Sequence, residues 1–345
     1  MDRNSDKLIS ELFELERVKD CLFLKRRPKK LYRIGDRSGQ EYLVRSMKES
    51  KNGKWRLRGI KPYYETGLGA AYLGDAQDLM NHLSPSTVDL IITSPPFALV
   101  KKKEYGNVDA DQYLWWFGTF AQEFWRILKT KGSLVIHLGG SWNKGKPTKA
   151  LYHFKLLILL CEKFHLAQDF YWFNPAKLPT PAEWVTVRRV RVKDAVDPIW
   201  WLSKSPHPKA DNRRVLKPYS ESMKQLLKDG YEPKLRPSGH DISDKFQKDL
   251  GGSIPPNLLE LSNTESNSPY LKGCRAGGMK PHPARYPSGI PRFFTQFLTR
   301  EGDKVLDPFG GSNVTGEVAE RLGRKWMCFE RNQEYLEGSK FRFNL

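Results

Sequence analysis

Residues 89–97 read Asp-Leu-Ile-Ile-Thr-Ser-Pro-Pro-Phe, an apolar run that stops at a hydroxyl residue, two prolines and an aromatic ring. The run over residues 90–92 is typical of a buried strand. Pro95 and Pro96 cannot continue that strand, because each has a fixed φ and no backbone N–H group. We therefore expect the loop to lie beyond the carboxyl end of a strand, which is where ligands bind in open α/β sheets.

The groups in this loop suit one kind of ligand. Pro95 and Pro96 offer carbonyl oxygens without amide donors, Ser94 adds a hydroxyl that can accept a hydrogen bond, and Phe97 offers a flat ring. A planar ring with an exocyclic amino group would fit them. Its hydrogens would point at the Ser94 hydroxyl and the Pro95 carbonyl, and the ring would stack on Phe97. The simpler alternative is a turn that only ends the strand.

A second motif lies near the other end of the chain, at residues 304–316, with the sequence KVLDPFGGSNVTG. The pattern predicts a strand that ends at Asp307, a glycine turn, and a helix closed by Gly323 as its C-cap. Residues 325–330 then form another strand, which ends at Glu330. This is a β-turn-α-β unit. The distance in sequence from the glycine turn to its second acid is close to the ~20-residue spacing found in proteins that bind the ribose of a nucleotide.

The chemistry of this unit narrows the ligand class. Gly310 and Gly311 let the backbone approach a ligand closely, and Glu330 would accept hydrogen bonds from two ribose hydroxyls. Neither G-x-G-x-x-G nor G-x-x-x-x-G-K-[ST] occurs, which argues against dinucleotides and triphosphates. The Asp307 carboxylate would repel a pyrophosphate but suits the cationic amino group or sulfonium of S-adenosylmethionine.

Together the two motifs resemble those of the β-class amino-methyltransferases that act on DNA, in which the Pro-Pro motif precedes the specificity region and the cofactor loop follows it. Ser94-Pro95-Pro96-Phe97 is similar to the cytosine-N4 form, whereas the adenine-N6 form more often has Asp or Asn first and Tyr last. The resemblance covers roughly residues 71–343. Four further segments look like modification enzymes of restriction-modification systems: residues 102–107, 170–175, 236–242 and 251–259.

This resemblance implies methyl transfer from S-adenosylmethionine to N4 of a cytosine flipped out of duplex DNA. It implies a Rossmann-like α/β fold with a seven-stranded mixed sheet, helices on both faces and the permuted β-class order. The catalytic residues would be Ser94, Pro95, Pro96 and Phe97. The cofactor-binding residues would be Asp75, Asp307, Phe309, Gly310, Gly311, Ser312, Thr315 and Glu330.

Three side chains outside the two motifs carry more specific expectations. Asp75 would accept a hydrogen bond from the cofactor adenine, and it also suits the N-cap of a helix. Tyr113 and Trp116 are candidates for the wall of the cofactor pocket.

His137 stands where the related modification enzymes carry a carboxylate near the amine. A neutral imidazole could also accept the proton released there. A core histidine with no role in the reaction is the alternative.

The charge balance favours a polyanionic partner, which we expect to be double-stranded DNA. The chain has 345 residues, with 58 Lys and Arg against 39 Asp and Glu and a net charge of +19. Residues 187–193 alternate valine with basic residues, which predicts an exposed edge strand with one basic face. The candidate phosphate contacts are Lys101, Lys102, Lys103, Arg188, Arg189 and Arg191; solvated basic side chains are the alternative.

Four cysteines lie far apart without C-x-x-C spacing, so we expect no metal site and a reducing cytosol. No 18-residue apolar run and no signal peptide occur, which predicts a cytoplasmic protein with no membrane association. A cognate restriction endonuclease is expected from the resemblance. The oligomeric state, monomer or dimer, stays open.

The chain divides into four predicted parts. They are an accessory segment at 1–70, a catalytic half at 71–203, a target-recognition region at 204–272 and a cofactor-binding half at 273–345. In the accessory segment, apolar spacing predicts a helix over residues 8–22, and alternation predicts basic strands at 31–34, 42–45 and 55–58.

Three other functions stay open at this point. Adenine-N6 transfer could occur on the same fold. The acceptor could instead be an amine of a protein or an RNA. Lastly, the chain could bind DNA without catalysing methyl transfer.

Overall fold

The computed structural model describes residues 31–35, 41–45, 55–98, 108–230 and 248–345. In these ranges nine strands form one mixed sheet, and two more form a separate hairpin. The strands are β1 Leu31–Gly35, β2 Glu41–Arg45, β3 Tyr64–Glu65, β4 Gly69–Leu73, β5 Val88–Thr93, β6 Leu128–His137, β7 His165–Phe173, β8 Val196–Ser203, β9 Leu258–Glu260, β10 Lys304–Asp307 and β11 Lys325–Glu330. The α-helices are α1 Ala76–Asn81, α2 Ala110–Ile127, α3 Tyr152–Cys161, α4 Glu221–Asp229, α5 Pro269–Ala276, α6 Gly289–Leu298, α7 Val314–Arg321 and α8 Gln333–Ser339.

The strand order of the large sheet is β3-β4-β11-β10-β5-β6-β8-β7-β9. Strands β4, β11, β10, β5 and β6 run parallel, and β8 is antiparallel to both β6 and β7. The methyltransferase-type mixed sheet that the sequence predicts is confirmed, with seven strands at its core. Two short edge strands, β3 and β9, bring the count to nine. They have two and three residues, too few to show the alternation that identifies a strand in sequence.

Helices cover both faces of the sheet, as expected for parallel crossovers. Successive side chains of β5 point to opposite faces, so Ile91 packs into one apolar cluster while Leu90 and Ile92 pack into the other. The first cluster is built with α1, α2 and α3, and the second with α6, α7 and α8. All six residues of β5 are buried, which explains why its central run, residues 90–92, is apolar on both faces of the sheet.

The parallel core brings the ends of four strands to one edge of the sheet. Thr93 ends β5, Asp307 ends β10 and Glu330 ends β11, while Asp75 follows shortly after β4. Strand β10 lies directly between β5 and β11, with Leu306 opposite Ile91. The two sequence motifs therefore converge at this edge.

The predicted accessory strands are confirmed in part. β1 and β2 form an antiparallel hairpin. The predicted strand at 55–58 is wrong, because residues 55–57 have irregular backbone and a turn begins at Arg58. Trp55 and Leu57 are instead buried in the apolar cluster of the large sheet, and the Leu57 N–H donates to the Tyr72 hydroxyl at 2.9 Å. One-sided packing against the domain thus accounts for the alternation. The predicted helix over 8–22 lies outside the described residues.

The predicted target-recognition region is described at 204–230 and 248–272. It contains α4, β9 and the start of α5, joined by irregular segments. Its role in reading DNA sequence stays a prediction. None of the helices in the described ranges has the length and apolar character needed to cross a bilayer.

Candidate active site

A cleft of about 540 Å³ opens at the carboxyl edge of the sheet. Its wall includes the serine-proline turn after β5 and the glycine turn after β10. The volume lies within the roughly 300–1,000 Å³ typical of small-molecule sites. Both sequence motifs thus line one cavity.

Ser94 begins the turn after β5, and its hydroxyl contacts the imidazole of His137 at the end of β6. The distance from Ser94 Oγ to His137 Nδ1 is 2.9 Å. On the other side of the ring, Nε2 lies 3.9 Å from Asp197 Oδ2, which is ionic range but beyond a hydrogen bond. Lys177 Nζ lies 2.9 Å from the same carboxylate oxygen. The four side chains form a line of hydroxyl, imidazole, carboxylate and ammonium.

The charge state of Asp197 follows from its neighbours. Burial by itself would raise the pKa of this carboxyl, but His137 and Lys177 outweigh burial and lower the pKa to about 2. Asp197 is therefore a carboxylate at neutral pH.

The rest of the serine-proline turn is held from below and from the side. The Tyr113 hydroxyl donates to the Pro96 carbonyl at 2.8 Å. In the described part of the chain, no hydrogen bond reaches the Pro95 carbonyl, which stays available as an acceptor in the cleft. The Phe97 ring lies across Gly139, where a Cβ atom would come within 2.6 Å of it. Glycine is thus required for the ring to lie there.

The two aromatic candidates on α2 have different positions. Trp116 lines the cleft beside Phe309, with ring centroids 5.8 Å apart, as predicted. Tyr113 is completely buried and supports the proline turn from beneath. The prediction that its side chain lines the pocket is therefore wrong.

Asp307 is buried at the end of β10 and receives donors on both carboxylate oxygens. Thr93 Oγ1 donates to Oδ1 at 2.7 Å, and the Phe309 N–H donates to the same oxygen at 3.1 Å. Thr315 Oγ1 donates to Oδ2 at 2.6 Å, with the Tyr286 hydroxyl at 3.4 Å. The Thr93 bond joins residues 214 positions apart. It ties the end of β5 directly to the end of β10.

Burial disfavours the charged forms of the two acidic side chains near the glycine turn. Burial raises the pKa of Asp307 even though its hydrogen-bond donors lower it. Burial also raises the pKa of Glu330, against the backbone N–H groups that bond it. A carboxylate short of solvation in this way gains from a cationic or hydroxyl-bearing ligand in the cleft.

The glycine turn is shaped by close backbone packing. At Gly310 an added Cβ would overlap Cys328 Sγ. The Gly311 N–H donates to Glu330 Oε2 at 2.8 Å, and the Asn332 N–H donates to Oε1 at 2.9 Å. Glu330 is thereby fixed beside the turn on the cleft wall.

Ser312 and Thr315 occupy different places in this loop. Ser312 lines the cleft, and Arg342 holds it from behind by donating to both its carbonyl and its hydroxyl, at 2.5 and 3.1 Å. Arg342 also pairs with the buried Glu317 at 2.6 Å. Thr315 does not reach the wall. It lies behind Asp307 and orients that carboxylate.

Asp75 lines the cleft and also caps α1, since its Oδ1 accepts the Gln77 N–H at 2.8 Å. The two roles expected of this residue are therefore compatible. Sequence reasoning missed the Lys177–Asp197 pair. Both residues lie in segments outside the recognised motifs. The one local sequence feature that could have indicated Asp197 is the Asp-Pro step at residues 197–198, just ahead of an apolar run.

Comparison with known proteins places these features in a family. A family model described as DNA methylase matches residues 88–341. The chain belongs to the DNA methylase family. The Type II methyltransferase M.PvuII of Proteus hauseri is 52% identical over 290 residues, which cover 83% of this chain and 86% of that protein. M.BamHI of Bacillus amyloliquefaciens is 30% identical over 287 residues, covering 79% of this chain and 57% of that protein.

Solved structures agree with this assignment. The PvuII DNA methyltransferase (cytosine-N4-specific) aligns with a TM-score of 0.68 at 44% identity, over 83% of this chain and 89% of that one. The resemblance found in the two motifs and the four further segments is thereby confirmed. TTHA0409 of Thermus thermophilus, complexed with S-adenosyl-L-methionine, shares the fold at 17% identity and a TM-score of 0.50, over 79% and 92% of the two chains.

The predicted basic edge strand of this methylase, over residues 187–193, is wrong. A π-helical turn at Glu183–Val187 is followed by irregular backbone. The N–H groups of Val190 and Arg191 both donate to the Trp184 carbonyl, at 2.9 and 3.2 Å. Arg189 has a φ of +56°, which is incompatible with an extended strand.

The basic candidates of the methylase consequently differ in availability. Arg188 bonds Glu183 at 2.7 Å, and Arg191 bonds Asp194 at 3.0 Å. Arg189 is exposed. Lys101, Lys102 and Lys103 lie outside the described residues. Phosphate binding by these six side chains stays a prediction.

Proposed function

We propose that this DNA methylase transfers a methyl group from S-adenosylmethionine to the exocyclic N4 of a cytosine extruded from double-stranded DNA. The observation that carries the proposal is that the serine-proline turn and the glycine turn after β10 line one cleft. Their strands are adjacent and are linked by the Thr93–Asp307 hydrogen bond.

The residues of the glycine turn fit S-adenosylmethionine. Asp307 is buried and Glu330 is partly buried, burial raises the pKa of both carboxyl groups, and both line the cleft. Asp307 would face the cationic part of the cofactor, and Glu330 would accept from the ribose hydroxyls. Gly310 keeps the backbone clear, since a side chain there would overlap Cys328. When bound, the cofactor supplies an electrophilic methyl group on a sulfonium.

The serine-proline turn fits the amine of a flipped cytosine. The Ser94 hydroxyl and the Pro95 carbonyl would accept the two N4 hydrogens, and Phe97 would stack on the ring. Such acceptors draw the hydrogens out of the ring plane and make the nitrogen lone pair available for attack. Positioning of the amine would supply much of the rate. Ser94 at the first position and Phe97 at the last favour cytosine over adenine, and the solved relative with 44% identity is described as cytosine-N4-specific.

The partner would be duplex DNA, which the net charge of +19 favours through phosphate attraction. Both relatives reported above are Type II methyltransferases. By that similarity, we propose that the chain is the modification enzyme of a type II restriction-modification system in the cytosol. A cognate endonuclease would cut the same site.

The test is the chemistry of the product. The protein is expressed in a host that lacks DNA methylation, and its DNA is digested to nucleosides and analysed by mass spectrometry. N4-methylcytosine is the expected product, and it should be absent with the Ser94→Ala variant. N6-methyladenine as the sole product would contradict the base assignment. Absence of any modified nucleoside, from protein that methylates no duplex in vitro, would contradict the activity.

A further inference from the structure

Methylation of an aromatic amine leaves a proton to be removed. The nitrogen becomes cationic when it accepts the methyl group, and it returns to neutrality by losing one N–H proton. On the proposed function, the Ser94 hydroxyl touches that nitrogen. In the described part of the chain, its hydrogen-bond partner is His137 Nδ1, at 2.9 Å.

We propose that His137 is the general base of methyl transfer, reached through Ser94, and that Asp197 and Lys177 are positioning residues that hold its ring ready to accept. The proposal rests on the proposed function and deepens it. Of the two alternatives for His137, a base or a core histidine, it favours the base, since the ring directly contacts the Ser94 hydroxyl.

The geometry favours the ring tautomer that can accept. For Nδ1 to accept the Ser94 proton, the neutral ring must carry its own proton on Nε2. Asp197 lies 3.9 Å from Nε2, so its negative charge favours an N–H there. Nε2 is buried and has no hydrogen-bond partner among the described residues, so no competing acceptor turns the ring. The carboxylate thus acts on the imidazole as an orienting charge.

The ring is also fixed sterically. Phe97 and Trp172 meet it edge to face, with centroids 5.4 and 5.3 Å from its own, and Tyr286 lies at 6.1 Å. The Lys177 ammonium, 2.9 Å from Asp197, keeps that carboxylate from taking the proton itself. The base is therefore the imidazole and not the acid behind it.

The proton balance is complete without a further reactant. The N4 lone pair forms the new bond to the methyl carbon, and the electron pair of the old methyl–sulfur bond stays on sulfur. One N4 proton passes to Ser94 Oγ while the Ser94 proton passes to His137 Nδ1. The result is a neutral methylated amine, an intact serine and an imidazolium that faces Asp197. The imidazolium returns its proton to water after the product leaves.

This arrangement makes the rate depend on pH in a defined direction. Among the described residues, the charged or titratable groups near His137 are Asp197 on β8, Lys177 in the β7–β8 connection and Tyr286 ahead of α6. Burial keeps the pKa of Tyr286 well above its ordinary value, so it stays a neutral phenol. Protonation of the imidazole removes the acceptor, so the rate should fall toward acid pH.

The experiment measures single-turnover methylation of a cognate duplex at saturating cofactor, across pH. His137→Asn keeps an oxygen that can accept from Ser94 but cannot take up a proton. We expect a loss of about 100-fold or more in rate, on the scale of general-base catalysis, with cofactor affinity unchanged. Asp197→Asn should lose less, because it removes only the charge that orients the ring. His153→Asn is the matched control, since His153 is buried on α3 and does not line the cleft. This variant should keep both the wild-type rate and the wild-type fall in rate toward acid pH.

Three outcomes would overturn the proposal. They are a wild-type rate and pH profile in His137→Asn, a wild-type rate in Asp197→Asn, and a loss of cofactor affinity in His137→Asn that parallels the loss of rate. The last would show a structural role only. If the wild type forms no N4-methylcytosine, the proposed function itself fails. If the wild type is active and His137→Asn is equally active, only the role of His137 fails.

Discussion

The hydrogen bond between Thr93 and Asp307 should contribute measurably to stability, because it joins the two halves of the site inside the core. Thr93→Val removes the hydroxyl and keeps the shape of the side chain. Thr295→Val is the matched control. Both threonines are fully buried, but Thr93 Oγ1 donates to a carboxylate at 2.7 Å, whereas Thr295 Oγ1 has no partner among the described residues.

The two substitutions should have different effects on the free energy of unfolding. A hydrogen bond to a charged acceptor contributes ~1.5–3 kcal/mol, and the valine methyl recovers ~0.8 kcal/mol through burial. Thr93→Val should therefore lower the free energy of unfolding by about 1–2 kcal/mol. Thr295→Val replaces an unsatisfied hydroxyl, so it should be neutral or stabilising by about 1 kcal/mol.

The assay is urea unfolding of the unliganded proteins, which yields the free energy of unfolding from midpoint and slope. Calorimetric titration with S-adenosylmethionine provides a second readout. Thr93→Val should bind the cofactor more weakly, because Asp307 loses a donor that stabilises its charged form. The reasoning is refuted if Thr93→Val is as stable as Thr295→Val, or if it binds the cofactor as well as the wild type.

Three further predictions concern the cleft. Ser94→Ala should reduce turnover strongly and leave cofactor affinity nearly unchanged, as single-turnover kinetics and calorimetry would show; parallel loss of both would contradict the role of the hydroxyl. Gly310→Ala should abolish cofactor binding in calorimetric titration or lower the melting temperature, since the new Cβ would overlap Cys328 Sγ. Wild-type affinity and melting temperature would refute the tight packing. The pKa of Glu330 is raised, and the ribose hydroxyls need its charged form as their acceptor. As the pH is lowered, cofactor affinity should therefore begin to fall at a higher pH than it would with a carboxyl of ordinary pKa. Glu330→Gln should weaken binding and flatten that dependence, and an unchanged pH profile would count against it.

The central strands that carry the two motifs could be predicted because their sequence patterns are clear. Residues 90–92 form an apolar run closed by prolines, and residues 304–330 carry strand, glycine turn, helix and strand in succession. Parallel strands place their carboxyl ends at one edge, so the convergence of Ser94 with Asp307 followed from topology. The edge strands β3 and β9 could not be predicted, since two or three residues show no period.

The supporting residues of the site were harder to predict. Lys177 and Asp197 meet across the connection between two antiparallel strands, and their contact depends on a register that no local pattern encodes. Residues 187–193 show the opposite failure. Their alternation is that of a strand, but the positive φ of Arg189 and the bonds to the Trp184 carbonyl make a turn. Tertiary context decided both cases.

A crystal structure of the chain with S-adenosylhomocysteine and a duplex containing the target cytosine would test the central claim most directly. The account predicts the cofactor sulfur and the flipped base in one cleft, with N4 within hydrogen-bond distance of both Ser94 Oγ and the Pro95 carbonyl. A cofactor bound away from the Asp307 turn, or a base whose amino group faces away from Ser94, would contradict it.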